Sequence, residues 1–252
     1  MRKDNSTIIL LIFLLFLNAC AKKQYTIKSV DGYLVEMNNR FDSSPDPEML
    51  SLVNYYKHKL DEEMHEIVGE AAQALTKSGQ QSVLANFTAD AMHEYGAGLW
   101  GPVDLAVINN GGLRTTLNQG KITIGNLYEI YTFDNCLVLL ELSGKSVERL
   151  FDDFSQKKIE GFSKNVVLTL KNNAIETMTV GGKLLDENAT YRLVTVDYLA
   201  EGNDGMDALK QATKYTDSGI ILRDAMIEYI KKLTANNIII NAKPDGRIEI
   251  KD

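Results

Sequence analysis

From Val103 onward, apolar runs of strand length alternate with segments whose apolar residues recur every three or four positions. This constrains the fold more than any other feature, because a chain carrying both periods must bury strands and helices against one another. Val103–Asn109 reads as a buried strand ending at Gly111-Gly112, and Cys136–Leu142 as a second. Gly144 to Phe154 places Val147, Leu150, Phe151 and Phe154 on one side of a helix. Val166–Leu170 and Ile175–Val180 form a hairpin, and Tyr191–Val196 is a strand followed by the polar loop Glu201-Gly202-Asn203-Asp204-Gly205. Ile220–Leu233 is a helix, and Ile238–Ile240 and Arg247–Ile250 are terminal strand candidates. Two helical patterns come earlier. Met49, Val53, Tyr56, Leu60, Met64, Ile67, Ala71 and Leu75 make one stripe, capped by Asp46 ahead of Pro47, and predict a single long helix over 47–77. A second runs from Gln81 to Tyr95 through Leu84, Phe87 and Ala91. The class is mixed α/β, without a short internal repeat or a low-complexity tract.

The amino terminus carries an address. Arg2 and Lys3 precede Thr7–Leu17, an apolar stretch shorter than the roughly twenty residues that span a bilayer but suited to a signal-peptide core. Leu17-Asn18-Ala19-Cys20 resembles the lipobox of bacterial lipoproteins, which implies cleavage after residue 19 and lipidation of Cys20. The plain alternative is an ordinary signal peptide with Cys20 an incidental thiol. Residues 20–46 then serve as a lipidated cysteine and tether with room for one short strand, and 47–252 as the folded domain. Lys22 and Lys23 follow Cys20 without an acidic cluster, which points to the periplasmic face of the outer membrane.

Composition excludes several classes. With 44% hydrophobic and 24% charged residues over 252 positions, the chain suits one globular domain and not a disordered polymer. Residues 20–252 carry 25 basic against 33 acidic side chains, a net −8, and no Lys/Arg run reverses that sign locally. Nucleic-acid polymers are therefore excluded as partners. Two cysteines rule out a disulfide framework, and Cys136, in the apolar run Cys136-Leu137-Val138-Leu139-Leu140, reads as a small buried hydrophobe.

Several motif fragments fail. Gly144-Lys145-Ser146 ends like a phosphate-binding loop, but the required earlier glycine falls at Leu139, so it is a helix start. Gly161-Phe162-Ser163-Lys164-Asn165 lacks the second glycine of a nucleophile elbow, and no histidine follows it. His58, His65 and His93 lie on expected helices among charged residues and read as solvent-facing, too few to build a two-metal centre.

One motif holds. Ile108-Asn109-Asn110-Gly111-Gly112-Leu113-Arg114 ends an apolar strand with two glycines that let the backbone approach a ligand, an asparagine that both donates and accepts, and a cationic fork suited to an anion. By itself it equally describes a glycine turn with a solvated arginine. In order along the chain, however, this segment resembles the NGGGIR segment of the carboxy-terminal domain of 5′-nucleotidases. Tyr131-Thr132-Phe133-Asp134-Asn135 resembles that family's PFGN segment, and Asp197-Tyr198-Leu199-Ala200-Glu201-Gly202-Asn203-Asp204-Gly205 its NFLANGGDGF segment. Leu84–Met92 is similar to the LGNLITDAM helix, and Gly246-Arg247-Ile248 to the closing strand.

The resemblance implies a four-layer α/β/β/α fold that grips a nucleobase between two aromatic rings, here Phe133 and Tyr198. It further implies that Asn109 bonds the base or ribose edge, that Asp204 accepts from the ribose hydroxyls, that Arg114 pairs with the phosphate, and that Asn135 shapes the pocket. The competing reading is core packing for both rings and a tight turn for Asp204. Departures accompany the match. The family's arginine upstream of the LGN helix would fall near Ser78-Gly79-Gln80, where none stands; Asn110, Thr132 and Asn203 replace a glycine, a proline and a glycine; and only Lys77 is near enough to compensate. No segment resembles the family's metallophosphatase domain, so no cofactor is expected in this chain and the divalent metals would sit on a partner. The expectation is the nucleoside- or nucleotide-recognition half of a split periplasmic 5′-nucleotidase acting with a separately encoded metallophosphatase. The alternatives are a stand-alone nucleoside-binding lipoprotein or a degenerate envelope scaffold.

Overall fold

A computed structural model describes residues 25–251 apart from 37, 44, 79–80, 158–159 and 173. The export signal, Cys20 and positions 79–80 lie outside the described residues. In chain order the elements are α1 (Pro47–Met64), β1 (Ile67–Ala71), α2 (Val83–Trp100), β2 (Leu105–Ile108), β3 (Gly120–Thr123), α3 (Ile124–Ile130), β4 (Cys136–Ser143), α4 (Gly144–Lys157), β5 (Gly161–Phe162), β6 (Val166–Lys171), β7 (Ala174–Val180), β8 (Lys183–Leu184), β9 (Thr190–Val196), α5 (Asp197–Ala200), β10 (Lys214–Ile221), α6 (Leu222–Ala235) and β11 (Ile248–Lys251). Among the described residues no helix is long and apolar enough to cross a membrane.

The chain divides between Ser51 and Leu52 into two units. In the first, residues 25–36 take no regular secondary structure, so the short strand expected in the tether does not form there. Asp46 Oδ1 accepts from the Glu48 and Met49 amides at 3.0 and 2.9 Å, which is the N-cap that the sequence predicts for α1.

The long helix expected over 47–77 is shorter in the structure. α1 stops at Met64, and β1 pairs antiparallel with β3, Glu70 opposite Lys121. Met64, Ile67, Ala71 and Leu75 keep helical spacing by coincidence. Ile67 and Val68 are β-branched, Gly69 is a poor helix former, and Val68 and Ala71 are buried from a strand. A Cβ at Gly69 would sit 2.5 Å from Ile230 Cγ2, so the glycine lets β1 lie against α6. None of the α1 side chains is buried; Met49, Val53, Tyr56 and Leu60 are exposed.

The core of the second unit is a five-stranded sheet in the order β10-β4-β9-β2-β5, parallel only where β9 meets β2. All four residues of β2 and the last four of β9 are buried, because helices cover the sheet and leave no solvated side for a polar alternation. α2 reaches β9 closely enough that a Cβ on Gly96 would meet Val194 Cγ2 at 2.6 Å. A second sheet, β11-β6-β7-β8, contains the expected hairpin β6–β7. α4 packs on β7, its Phe151 ring 5.2 Å from Phe154 and 5.3 Å from Phe162. Arg247, 3% exposed, ties β11 to this core through Asp90, Asp245 and the Phe162 carbonyl. Of the expected strand Ile238–Ile240 only Ile240 bridges, to Ala71. The sequence pattern also passed over β10 and α3.

Topology gathers distant segments at one end of the strands. β2 and β9 are parallel, with Leu105 opposite Leu193, so both end there. β4 runs antiparallel to β9, with Leu137 opposite Val196, so it begins there. β10 ends there too, with Ile221 opposite Cys136. Residues just after β2, before β4, after β9 and after β10 are therefore neighbours.

Candidate functional site

That end of the sheet holds an open cavity of about 310 Å³ lined by Asn109, Gly111, Gly112, Arg114, Phe133, Asn135, Tyr198 and Asp204. All six residues singled out in the sequence are thus brought together. Asn109 is 5% exposed and donates from Nδ2 to Asp204 Oδ2 at 2.5 Å. The Tyr198 hydroxyl donates to the other carboxylate oxygen at 3.0 Å. Asp204 is held by two donors at once, Asn109 just after β2 and Tyr198 on α5, in a left-handed conformation (φ 55°) that an aspartate tolerates better than most side chains. An ionised carboxylate has about four acceptor positions, so two donors leave capacity directed at the cavity.

The two rings stand differently. Phe133 is 51% exposed on a segment without regular structure, and Tyr198 is 41% exposed on α5. Both line the same opening. Phenylalanine and tyrosine left half in water beside a concave surface fit a stacking role better than the core packing weighed against it. Arg114 turns back along its own loop, Nη1 donating to the Gly111 carbonyl at 3.2 Å, and its guanidinium carbon lies 5.9 Å from the Phe133 ring centroid. Among the described residues it makes no ion pair, so its charge is available to an anion. The hydrogen bond to the Asp204 carboxylate and that group's negative charge push the Tyr198 phenol above its usual range.

The loop beyond β2 is fixed by groups the sequence did not mark. Glu160 Oε2 accepts from the Asn110 amide at 2.5 Å, and Asn110 Nδ2 donates to the Lys77 carbonyl at 3.1 Å. Asn110, which replaces a glycine of the family pattern, therefore ties in the Lys77 segment through its backbone. Asn203 Nδ2 donates to the Tyr198 carbonyl at 2.7 Å. Arg223, 8% exposed, holds the Phe133 segment, as developed below. Nothing near Glu160 or Arg223 in the sequence distinguishes them from other charged residues.

The fragments rejected in the sequence have structural roles. Ser163 is 1% exposed and its Oγ accepts from the Ala106 amide at 2.9 Å. His65 lies just past α1, and His93, which the sequence reads as solvent-facing, is half-buried with Nε2 3.1 Å from the Val103 carbonyl oxygen. Cys136 is half-buried and not enclosed, because it is the first residue of β4, at the open end of the strands. Burial first, then Asp197, Asp217 and Asp134, push its thiol up, so it stays protonated and a poor nucleophile. Among the described residues no three His, Cys, Asp or Glu side chains gather into a metal-binding group, so the donors present do not fit a two-metal centre.

Two part-exposed rings, a doubly held carboxylate and a guanidinium without an ion pair among the described residues surround one concavity at strand ends, a place and lining suited to a small ligand in a domain of mixed α/β class. The chain belongs to the 5′-nucleotidase C-terminal domain family, whose sequence model matches residues 65–211. It is 27% identical over 216 residues to protein UshA of Yersinia enterocolitica, a match covering 82% of this chain and 38% of the relative. It is 25% identical over 223 residues to the trifunctional nucleotide phosphoesterase protein YfkN of Bacillus subtilis, covering 81% and 15%. Among solved structures, the 5′-nucleotidase precursor of Thermus thermophilus shares the fold with a TM-score of 0.68 at 24% identity, over 84% of this chain and 45% of that one. The chain thus spans less than half the length of each of these proteins.

Proposed function

We propose that this domain binds nucleosides and nucleoside 5′-phosphates, and that it is the recognition half of a 5′-nucleotidase whose metal centre is carried by a separate metallophosphatase chain. The observation that carries the reading is the convergence of Asn109, Arg114, Phe133, Asn135, Tyr198 and Asp204, spread over 95 positions of sequence, on one cavity. A base inserts between Phe133 and Tyr198, where stacking contributes about 1–3 kcal/mol per base whatever its identity, because every base has a π-face. The ribose hydroxyls donate to the free lone pairs of Asp204, Asn109 offers an amide to the base or sugar edge, and Arg114 pairs with the phosphate through its planar fork. Asn135 completes the wall beside Phe133. This chain binds and orients. Hydrolysis, through metals that polarise the phosphate and activate water, belongs to the metallophosphatase.

Calorimetric titration of adenosine and AMP, with a chelator present, tests the binding step against a Phe133→Ala/Tyr198→Ala variant. Loss of both rings is expected to weaken binding by at least about 2 kcal/mol, roughly thirtyfold. No saturable binding by either protein refutes it. The partnership is tested by phosphate release from AMP by a candidate metallophosphatase, which must rise when this protein is added. Binding without any such rise leaves a stand-alone nucleoside-binding protein. We further propose that Cys20 is lipidated and anchors the protein at the periplasmic face of the outer membrane, a reading supported by Leu17-Asn18-Ala19-Cys20. Metabolic labelling with a fatty-acid analogue should mark the protein and spare Cys20→Ser; an unlabelled wild-type protein overturns the anchor.

A further inference from the structure

Phe133 cannot hold its own position. Its ring is half-exposed, its segment (residues 131–135) has no regular secondary structure, and the cation beside the ring is the long-armed Arg114 at 5.9 Å. The place of the ring must therefore come from the backbone on either side of it. That segment is gripped at three points, two on its backbone and one on the Asp134 side chain, from the junction of β10 and α6. Arg223 Nη1 donates to the Tyr131 carbonyl at 3.0 Å, Arg223 Nη2 pairs with Asp134 Oδ1 at 2.7 Å, and the Leu222 amide donates to the Asn135 carbonyl at 2.8 Å. One guanidinium thus spans Phe133, bonding the residue next but one before it and the residue directly after it. The Tyr128 ring lies 4.1 Å from the guanidinium carbon and fixes its plane.

We propose that Arg223 is a positioning residue for the nucleobase, acting through Asp134 to set the Phe133 ring at the stacking distance. The proposal rests on the nucleoside-binding reading and deepens it. The sequence adds one observation: the family's PFGN pattern has a glycine where this chain has Asp134, so the carboxylate that pairs with Arg223 departs from that pattern. The chemistry requires arginine. A lysine offers one point charge and cannot donate to Tyr131 and Asp134 in two directions from one plane.

Asp134 makes the cleaner variant, because its side chain is 71% exposed and its removal takes no packed apolar group out of the core. Adenosine and ribose 5-phosphate are titrated into the full chain and into Asp134→Ala, Phe133→Ala and the double variant, with Arg223→Lys as a second disruption of the clamp. Asp134→Ala is expected to weaken adenosine about tenfold and to leave ribose 5-phosphate, which has no base, within about twofold. In that background Phe133→Ala should cost less than about threefold more, because a displaced ring no longer stacks. Arg223→Lys should give the same pattern. Equal losses for adenosine and ribose 5-phosphate overturn the inference, since the site would then be distorted generally. So do strictly additive effects of the two substitutions. Failure of the wild-type chain to bind adenosine removes the binding reading and this inference with it, whereas intact wild-type binding with an additive cycle removes the inference alone.

Discussion

Gly112→Ala is the sharpest probe of how the cavity is held. Gly112 is not among the glycines in the left-handed region, so space alone dictates the residue. A Cβ there would stand 2.7 Å from Asn109 Oδ1 and 3.3 Å from its Cγ, several tenths of an ångström inside ordinary contact. The amide is the end of a side chain and can swing away, but Asn109 is 5% exposed and its Nδ2 is engaged with Asp204. Retreat therefore breaks a hydrogen bond to a charged acceptor, worth about 1.5–3 kcal/mol. For a domain of this size that corresponds to a melting-temperature fall of roughly 3–12 °C at about 2–4 °C per kcal/mol. Adenosine binding should fall with it, because Asp204 then keeps only the Tyr198 donor. The assay is a thermal melt followed by circular dichroism, with adenosine calorimetry on the same samples. The control is the Asn109→Ala background: with the amide gone the new methyl loses its three nearest contacts, so Gly112→Ala should there cost less than about 0.5 kcal/mol. A Gly112→Ala protein with wild-type melting and wild-type affinity, or one equally damaged in both backgrounds, refutes the reasoning.

Further outcomes are expected at Tyr198 and Arg247. Tyr198→Phe keeps the stacking face and deletes the donor to Asp204, so adenosine binding should weaken about three- to tenfold, far less than for Tyr198→Ala, and a loss as large as alanine's would show that the ring is not the main contact. Because the bond to Asp204 raises the phenol's pKa, its stabilising contribution is present at neutral pH and is lost as pH rises through that raised value. In ultraviolet titration the ionisation of Tyr198, isolated as the difference from Tyr198→Phe, should therefore move to lower pH in Asp204→Asn, and an unmoved difference curve would count against the bond. Arg247→Ala leaves Asp90 and Asp245 without their shared cation and should lower urea-measured stability by about 3 kcal/mol, near the lower end for a broken buried pair because both carboxylates keep some water. Arg247's hydrogen bond holds the Asp245 carboxyl below its usual value, so that stability is present above the ordinary carboxylate range and disappears as pH falls through the depressed value; an acid limb unchanged in Arg247→Ala would count against the pair.

The sequence determined most of the elements and the membership of the site. Asp46 capped α1 as read, the hairpin β6–β7 formed, and α4 buried Val147, Leu150, Phe151 and Phe154 on one side, because capping and periodicity are local properties written in neighbouring residues. The six cavity residues were also legible, through motif resemblance and not through any property of the segments taken singly. Where local pattern and tertiary pairing disagreed, pairing won. Met64, Ile67, Ala71 and Leu75 continue a helical stripe on paper, yet β1 forms because β3 and α6 offer it a ladder and a covered face. β10 stayed hidden because its burial alternates weakly on an edge strand, where packing on one neighbour, β4, decides the conformation. Only the tertiary structure could set Arg223 across the Phe133 segment, Glu160 on the Asn110 amide, and Asp204 between Asn109 and Tyr198. Those contacts join residues 6 to 95 positions apart through sheet order and strand direction, and nothing in a single segment encodes which strand will lie beside it.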